Sequence, residues 1–322
     1  MSKRYAVISI GTNSTRLLLA DVEPERPRIE VVRSTGTRIG EGLGERGHLG
    51  DEPMARTLEA IAQFQRAIRG HYVRLFAVST SALRRADNGE AFGQRVGEML
   101  GVPLRILSGE EEALASYRGA LTAFGELHGE RVGVVDCGGG STEYAVGTTT
   151  EPEAVISCEI GAVRLTEAVP ELRGADGPVG NEAVERARGL AKEALQPIAE
   201  PAPAEKLALV GGSATTVAAI VRGKRTMLQA FPLERAALQR VLEKLVQMPL
   251  DERKKVEGMK PQRADILPAG IIVLQTAMDL VKCDKVVATT ADLLLGILLQ
   301  EWDAGQRNAA PAAPKARRGF RR

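Results

Sequence analysis

A chain of 322 residues is long for a single hydrophobic core, so two domains are the default expectation. Its 44% hydrophobic and 26% charged residues are the balance of an ordinary globular protein, and 3% aromatic content argues against stacking platforms for single-stranded nucleic acid. With 43 basic and 41 acidic side chains the net charge of +2 singles out no partner, and no specific nucleic acid is expected.

In chain order, the apolar run 5–10 (YAVISI) reads as a strand that enters the small-residue turn GTNS and continues into a second strand, LLLADV; a third follows at 28–34. Met54, Leu58, Ile61, Phe64 and Ile68 recur at helical spacing and predict a helix over 53–69. A strand at 75–79, a helix after Asn88, a short strand near 104–107 and a helix from 109 complete this half. The order then restarts with a strand at 131–136, a triple-glycine turn, a strand at 142–147 and a third near 153–158. Helical stretches, a strand at 206–211, another helix and a strand at 284–288 follow. Residues 306–322, rich in Ala, Pro and Arg, read as a disordered basic tail. Cys137, Cys158 and Cys283 are odd in number and far apart, as are His48, His71 and His128, so neither a disulfide framework nor a histidine or thiolate metal cluster is expected. No apolar run is long enough to span a membrane and nothing at the N-terminus resembles a signal peptide; a cytoplasmic protein without membrane contact is expected.

Each half thus opens strand, small-residue turn, strand, strand, and then alternates helix and strand. Two α/β domains of matching order can face those turns across a cleft, and backbone N–H groups in such turns make anion-binding concavities. The first turn supplies Gly11, Thr12, Asn13 and Ser14, and the second Gly138, Gly139, Gly140, Ser141 and Thr142. A third, with Gly211, Gly212 and Ser213, joins a strand to a helix, whose N-terminal amides favour phosphate. One glycine turn is weak evidence; three at corresponding strand ends share a single explanation, a phosphate-binding cleft. The three glycines would let a phosphate chain lie against backbone where no side chain fits. Thr80, Ser81 and Arg84 add hydroxyls and a guanidinium suited to phosphate oxygens.

These stretches, with IGTNSTRLLLADV (10–22), TRIGEGL (37–43), STSALRRADN (79–88), SGEEEALASYRGA (108–120), VVDCGGGSTE (134–143), EIGAVRLTE (159–167), VGGSATT (210–216) and QRADILPAGI (262–271), resemble the exopolyphosphatase and guanosine pentaphosphate phosphohydrolase family, Ppx/GppA, of the actin-like ATPase/sugar-kinase/Hsp70 superfamily. The chain is similar to the short two-domain members that lack a C-terminal HD-type domain. The resemblance implies an α/β fold of two actin-like (ribonuclease H-like) domains, 1–126 and 127–305, facing an interdomain cleft, with the last helix, 291–303, packing back toward the first domain. It implies Mg2+ or another divalent cation. It makes Glu112 the general base and assigns Glu143 a catalytic role, with Asp136 and Glu143 as metal ligands. Arg38 and Arg263 fit family motifs too, and Arg263 is taken as a phosphate-binding residue.

The chain departs from the family at Ser9, where an aspartate is usual, and at TTADLLLG (289–296), which replaces a more polar, arginine-containing stretch. The implied reaction is release of terminal phosphate from inorganic polyphosphate, an exopolyphosphatase hydrolase. Hydrolysis of guanosine pentaphosphate, linked to the stringent response, is the alternative, and a weakly active sensor of polyphosphate or of guanosine penta- or tetraphosphate stays open as a different class. A homodimer also stays open.

Overall fold

The computed structural model of the chain describes residues 3–22, 27–125, 129–226, 229–283 and 285–309. Its first half runs β1 (Lys3–Ile10), β2 (Thr15–Val22), β3 (Arg28–Thr35), α1 (Leu43–Arg46), α2 (Asp51–Ile68), β4 (Arg74–Ser79), α3 (Ser81–Arg85), α4 (Gly89–Leu100), β5 (Leu104–Ile106) and α5 (Gly109–Leu121). The second half begins with β6 (Val132–Cys137), β7 (Thr142–Gly147), β8 (Ala154–Cys158), α6 (Ala162–Ala168), α7 (Asn181–Leu195), β9 (Lys206–Val210) and α8 (Gly211–Arg222). It ends with β10 (Phe231–Pro232), α9 (Arg235–Val246), α10 (Leu250–Arg253), α11 (Leu267–Val281), β11 (Val286–Ala288) and α12 (Leu293–Ala309).

The first sheet has the order β3-β2-β1-β4-β5, and the second β10-β11-β9-β6-β7-β8. Setting aside the two-residue β10, both read third, second, first, fourth, fifth. In each, the first strand pairs antiparallel with the second and parallel with the fourth. That is the ribonuclease H-like arrangement, present twice. Strands β1 and β6 are central and buried on both faces, hence their continuous apolar runs.

The halves exchange a helix. Ala113, Tyr117, Ala120 and Leu121 of α5 pack with Val132 and Val134 of β6, Ala145 of β7 and Ala208 of β9, so this helix covers the second sheet. In return Leu293, Leu294, Ile297 and Leu298 of α12 pack with Tyr5 and Val7 of β1 and Leu18 of β2. The two helices meet where small residues allow backbone contact: a Cβ on Gly296 would overlap the Ala115 carbonyl, and one on Gly119 the Asp292 carbonyl.

Three details differ from the sequence reading. The strand expected at 206–211 ends at Val210, because Gly211 takes φ 87 and starts α8. The strand expected at 284–288 begins at Val286. Helix α12 continues to Ala309, into the segment read as a tail from residue 306, since Gln306, Arg307, Asn308 and Ala309 contain no helix breaker before Pro311; the rest of that segment, 310–322, lies outside the described residues. The expected domain boundary at 126/127 also falls outside them. Among the described residues no helix is long and apolar enough to cross a membrane.

Candidate active site

The duplicated topology produces two nearly identical turns. Gly11 N–H donates to the Ser14 carbonyl at 3.0 Å, and Gly138 N–H to the Ser141 carbonyl at 3.1 Å. Two further carbonyls of each turn are held by the segment that packs behind it. Arg38 N–H donates to Asn13 O at 3.1 Å and Gly40 N–H to Thr12 O at 3.0 Å. In the second half, the first amides of α6 do this: Ala162 N–H donates to Gly138 O at 3.0 Å and Val163 N–H to Gly139 O at 2.9 Å. The amides of Thr12, Asn13, Gly139 and Gly140 donate to no protein acceptor among the described residues.

The turns touch. A Cβ on Gly139 would lie 2.9 Å from the Thr12 Cβ, and one on Gly140 2.6 Å from the Ser81 Oγ. The glycines are therefore required first by the close approach of the other half, and only then by a ligand. At Gly212 the crowding comes from within the second half, where the Arg263 guanidinium lies in the place a side chain would take.

A cavity of about 90 Å³ between the turns is lined by Gly11, Thr12, Asn13, Ser14, Thr80, Gly138, Gly139, Gly140, Ser141, Gly211, Gly212, Arg263, Glu112, Asp136 and Glu143. The structure thus brings most of the expected residues together. Ser81 is buried beside Gly140, with its hydroxyl unpartnered among the described residues. Arg84 reaches Glu112 from outside this cavity. Two expected contacts are corrected. Thr142 is fully buried and donates its hydroxyl to the Ile160 carbonyl at 2.6 Å, behind the turn. Ser213 is buried against Gly270 and Cys137, because the first turn of α8 points it into the core.

Asp136 and Glu143 are directly opposed across β6 and β7. The corresponding pair in the first half is Ser9 and Arg16, opposed across β1 and β2. The second half therefore presents acids to the cleft and the first a hydroxyl and a cation. Ser116, one helical turn after Glu112, donates to Asp136 Oδ2 at 2.5 Å, and Ser157 donates to Glu143 Oε1 at 3.0 Å. Desolvation raises Asp136 to about 6, helped by the charge of Asp292 and opposed by the Ser116 bond. Burial raises Glu143 well above the usual carboxylate range, with Glu112 and Asp136 adding to the effect.

The three consecutive glutamates have three fates. Glu110 is exposed. Glu111 closes a capping box with Ser108, whose hydroxyl accepts from Glu111 N–H at 3.1 Å while Glu111 Oε2 accepts from Ser108 N–H at 2.8 Å. Glu112 is buried at 4% exposure and accepts from Arg84 Nη1 at 2.5 Å. Burial raises its carboxyl to about 7, against the hydrogen bond and charge of Arg84.

Residues not singled out in the sequence complete the wall. Arg16 pairs with Asp292 at 2.7 Å and lines this cavity. Ser116 had a signal, its i+4 spacing from Glu112; Ser157 had none, since its place depends on the β7–β8 register that opposes it to Glu143.

The donor set is all oxygen. Among the described residues no three Asp, Glu, His or Cys side chains converge tightly enough to hold an ion alone. Such a site suits magnesium, which typically uses one or two carboxylates and completes its octahedron with water and phosphate.

Residues 20–303 match the model of the Ppx/GppA phosphatase family. Exopolyphosphatase 2 of Mycobacterium tuberculosis is 35% identical over 317 residues, covering 92% of this chain and 98% of that protein. A bifunctional 3-dehydroquinate synthase/phosphatase of Fusobacterium nucleatum is 27% identical, covering 92% of this chain and 46% of its own. Among solved structures, an exopolyphosphatase from Cytophaga hutchinsonii superposes with a TM-score of 0.84 at 25% identity, covering 94% of this chain and 98% of that one. The Ppx/GppA member of Aquifex aeolicus superposes at 0.76 with 27% identity, covering 95% and 99%.

Proposed function

The chain belongs to the Ppx/GppA phosphatase family, and from that premise we propose that it is a cytoplasmic exopolyphosphatase, hydrolysing the terminal phosphate of linear inorganic polyphosphate. The observation that carries the reading is Glu112, a buried carboxylate raised to about 7 that lines the same cavity as the two glycine turns. A base with that affinity is matched to neutral pH.

The terminal phosphate lies against the amides of Thr12, Asn13, Gly139 and Gly140, with the hydroxyls of Ser14, Ser81 and Ser141 and the Arg263 guanidinium around it. Glu112 orients the attacking water and takes its proton. Arg84 favours the ionised form of that carboxylate against the effect of burial and aims it by the hydrogen bond to Oε1. Asp136 and Glu143 would hold magnesium, which supplies charge neutralisation for the phosphate oxygens when bound.

A second reading, hydrolysis of guanosine pentaphosphate, is favoured by an adjoining cavity of about 340 Å³. Arg225, Lys260 and Arg263 line one side of it and Leu18, Ile29 and Leu294 another. Burial first, and neighbouring cations second, lower Lys260 to about 8 and Arg263 to about 10, and the carboxylate lining this cavity, Asp292, is paired with Arg16. A bare phosphate chain has no use for the apolar wall, whereas a phosphorylated ring system has. Phosphate release from polyphosphate and guanosine pentaphosphate, assayed side by side with magnesium, decides between them; release from neither overturns both.

A further inference from the structure

Arg38 is one of two non-glycine residues with positive φ among those described, at 51°. Left-handed backbone is uncommon for such a residue and persists only where its surroundings impose it. Its main chain is tied to one half of the molecule and its side chain to the other. The amide donates to Asn13 O at 3.1 Å, and two residues on Gly40 N–H holds Thr12 O. The guanidinium spans to the second half, where Nη1 donates to Asp265 Oδ2 at 2.7 Å and Nη2 to Asp265 Oδ1 at 2.8 Å. Nη2 also donates to the Gln262 carbonyl at 3.1 Å.

Gln262 and Asp265 bracket Arg263. Gln262 and Arg263 lie in a 3-10 turn over Pro261–Arg263, and Asp265 in the short turn that joins it to α11. From it Arg263 extends over Gly212 and donates to Ser14 Oγ at 3.3 Å, returning to the loop that Arg38 holds by its backbone. Gly36 packs against the same turn, where a Cβ would sit 2.8 Å from Gln262 Cγ. A closed circuit results: the Gly11–Ser14 loop, Arg38, the 262–265 turn, Arg263, and the loop again.

We propose that Arg38 is a positioning residue whose bidentate bond to Asp265 sets the Arg263 guanidinium against the Gly11–Ser14 loop across the cleft. Arg38 touches no part of the 90 Å³ cavity itself; it acts through Arg263. The left-handed backbone is the means, because it turns the side chain away from its own loop and toward the opposite half. A lysine keeps the charge but cannot form the planar fork.

The test is a double-mutant cycle on the full chain, read as tripolyphosphate binding by calorimetry and as kcat and KM for phosphate release. The kinetic arm rests on the phosphohydrolase reading, and the binding arm does not: a wild type that binds tripolyphosphate but releases no phosphate sinks that reading and leaves this one testable. Arg38→Gly, which glycine's freedom at positive φ lets fold without strain, is expected to weaken binding and kcat/KM by roughly ten- to a hundredfold. Arg263→Ala should do the same, and the pair together no worse than Arg263→Ala alone. Arg38→Lys should resemble Arg38→Gly in function while matching wild type in thermal stability. If Arg38→Gly fails to fold, Asp265→Asn opens the fork from the other side and carries the same expectation against Arg263→Ala. Additive losses in the double variant, or Arg38→Gly with wild-type affinity, overturn the proposal.

Discussion

At residue scale, the SGEEEA stretch shows how three identical side chains part company. Glu111 completes a capping box, worth about 0.5–2 kcal/mol at most, and Glu112 is turned inward to Arg84. Glu112→Gln should lower kcat by about 10²–10⁴-fold with KM little changed, and Glu111→Gln should keep near-wild-type turnover. The reverse pattern in steady-state kinetics shows that the base lies one residue earlier. The rate should also climb with pH as Glu112 loses its proton near 7. Stability moves the other way. Folded Glu112 keeps its proton to about 7, whereas the unfolded chain releases it near 4.5. Between those values the folded state binds more protons, so the stability this group contributes at low pH is lost as pH rises through the window. Asp136, raised to about 6 from 3.8, acts in the same sense. Thermal denaturation of chelator-treated protein should fall from pH 5 to pH 8, and Glu112→Gln should flatten the fall; an equal slope in the variant excludes Glu112 as its source.

At the scale of elements, the strands were legible in the sequence because central strands such as β1 and β6 must be apolar on both faces, and their small-residue turns mark where each sheet reverses. The exchange of α5 and α12 was not, because an amphipathic helix shows that it has a buried face without showing which sheet that face meets. Glycine carried the missing information in disguise. Gly119 and Gly296 look like ordinary helix-weakening residues, yet each is where one helix's backbone meets the other's. Gly139 and Gly140 looked like ligand space and are occupied first by Thr12 and Ser81. Ser213 and Thr142 were misplaced because a motif's residue types do not reveal which way its helix or strand turns each one. Since α5 carries Glu112, Gly296→Ala should force α12 from α5, destabilising the protein by roughly 1–3 kcal/mol and lowering kcat. Calorimetric melting and turnover check this together; a variant with unchanged melting and activity shows that the contact is slack.

At the scale of the whole molecule, duplication placed equivalent strands on the two walls of one cleft and then diverged in charge. Asp136 and Glu143 on β6 and β7 occupy the positions that Ser9 and Arg16 hold on β1 and β2. One wall therefore suits a cation and the other an anion, and each ligand brings the charge that its partner wall lacks. Two carboxylates raised by burial and by neighbouring acids, Asp292 beside Asp136 and Glu112 and Asp136 beside Glu143, should bind magnesium weakly by themselves, since protons compete for the same oxygens. Magnesium and a polyphosphate should then bind cooperatively, each improving the affinity of the other by the same factor. Ser9→Asp adds a fourth carboxylate to the cavity, beside Glu112, Asp136 and Glu143 and opposite Arg16, which Asp292 holds at 2.7 Å. That variant should bind magnesium more tightly in the absence of anion and show a smaller gain when a non-hydrolysed anion is added, because less charge remains for the anion to stabilise. Calorimetry of magnesium binding to the two proteins, each with and without the anion, reads all four affinities. Equal magnesium affinity in both places residue 9 outside the reach of the ion, and equal affinity with and without anion removes the coupling between the walls.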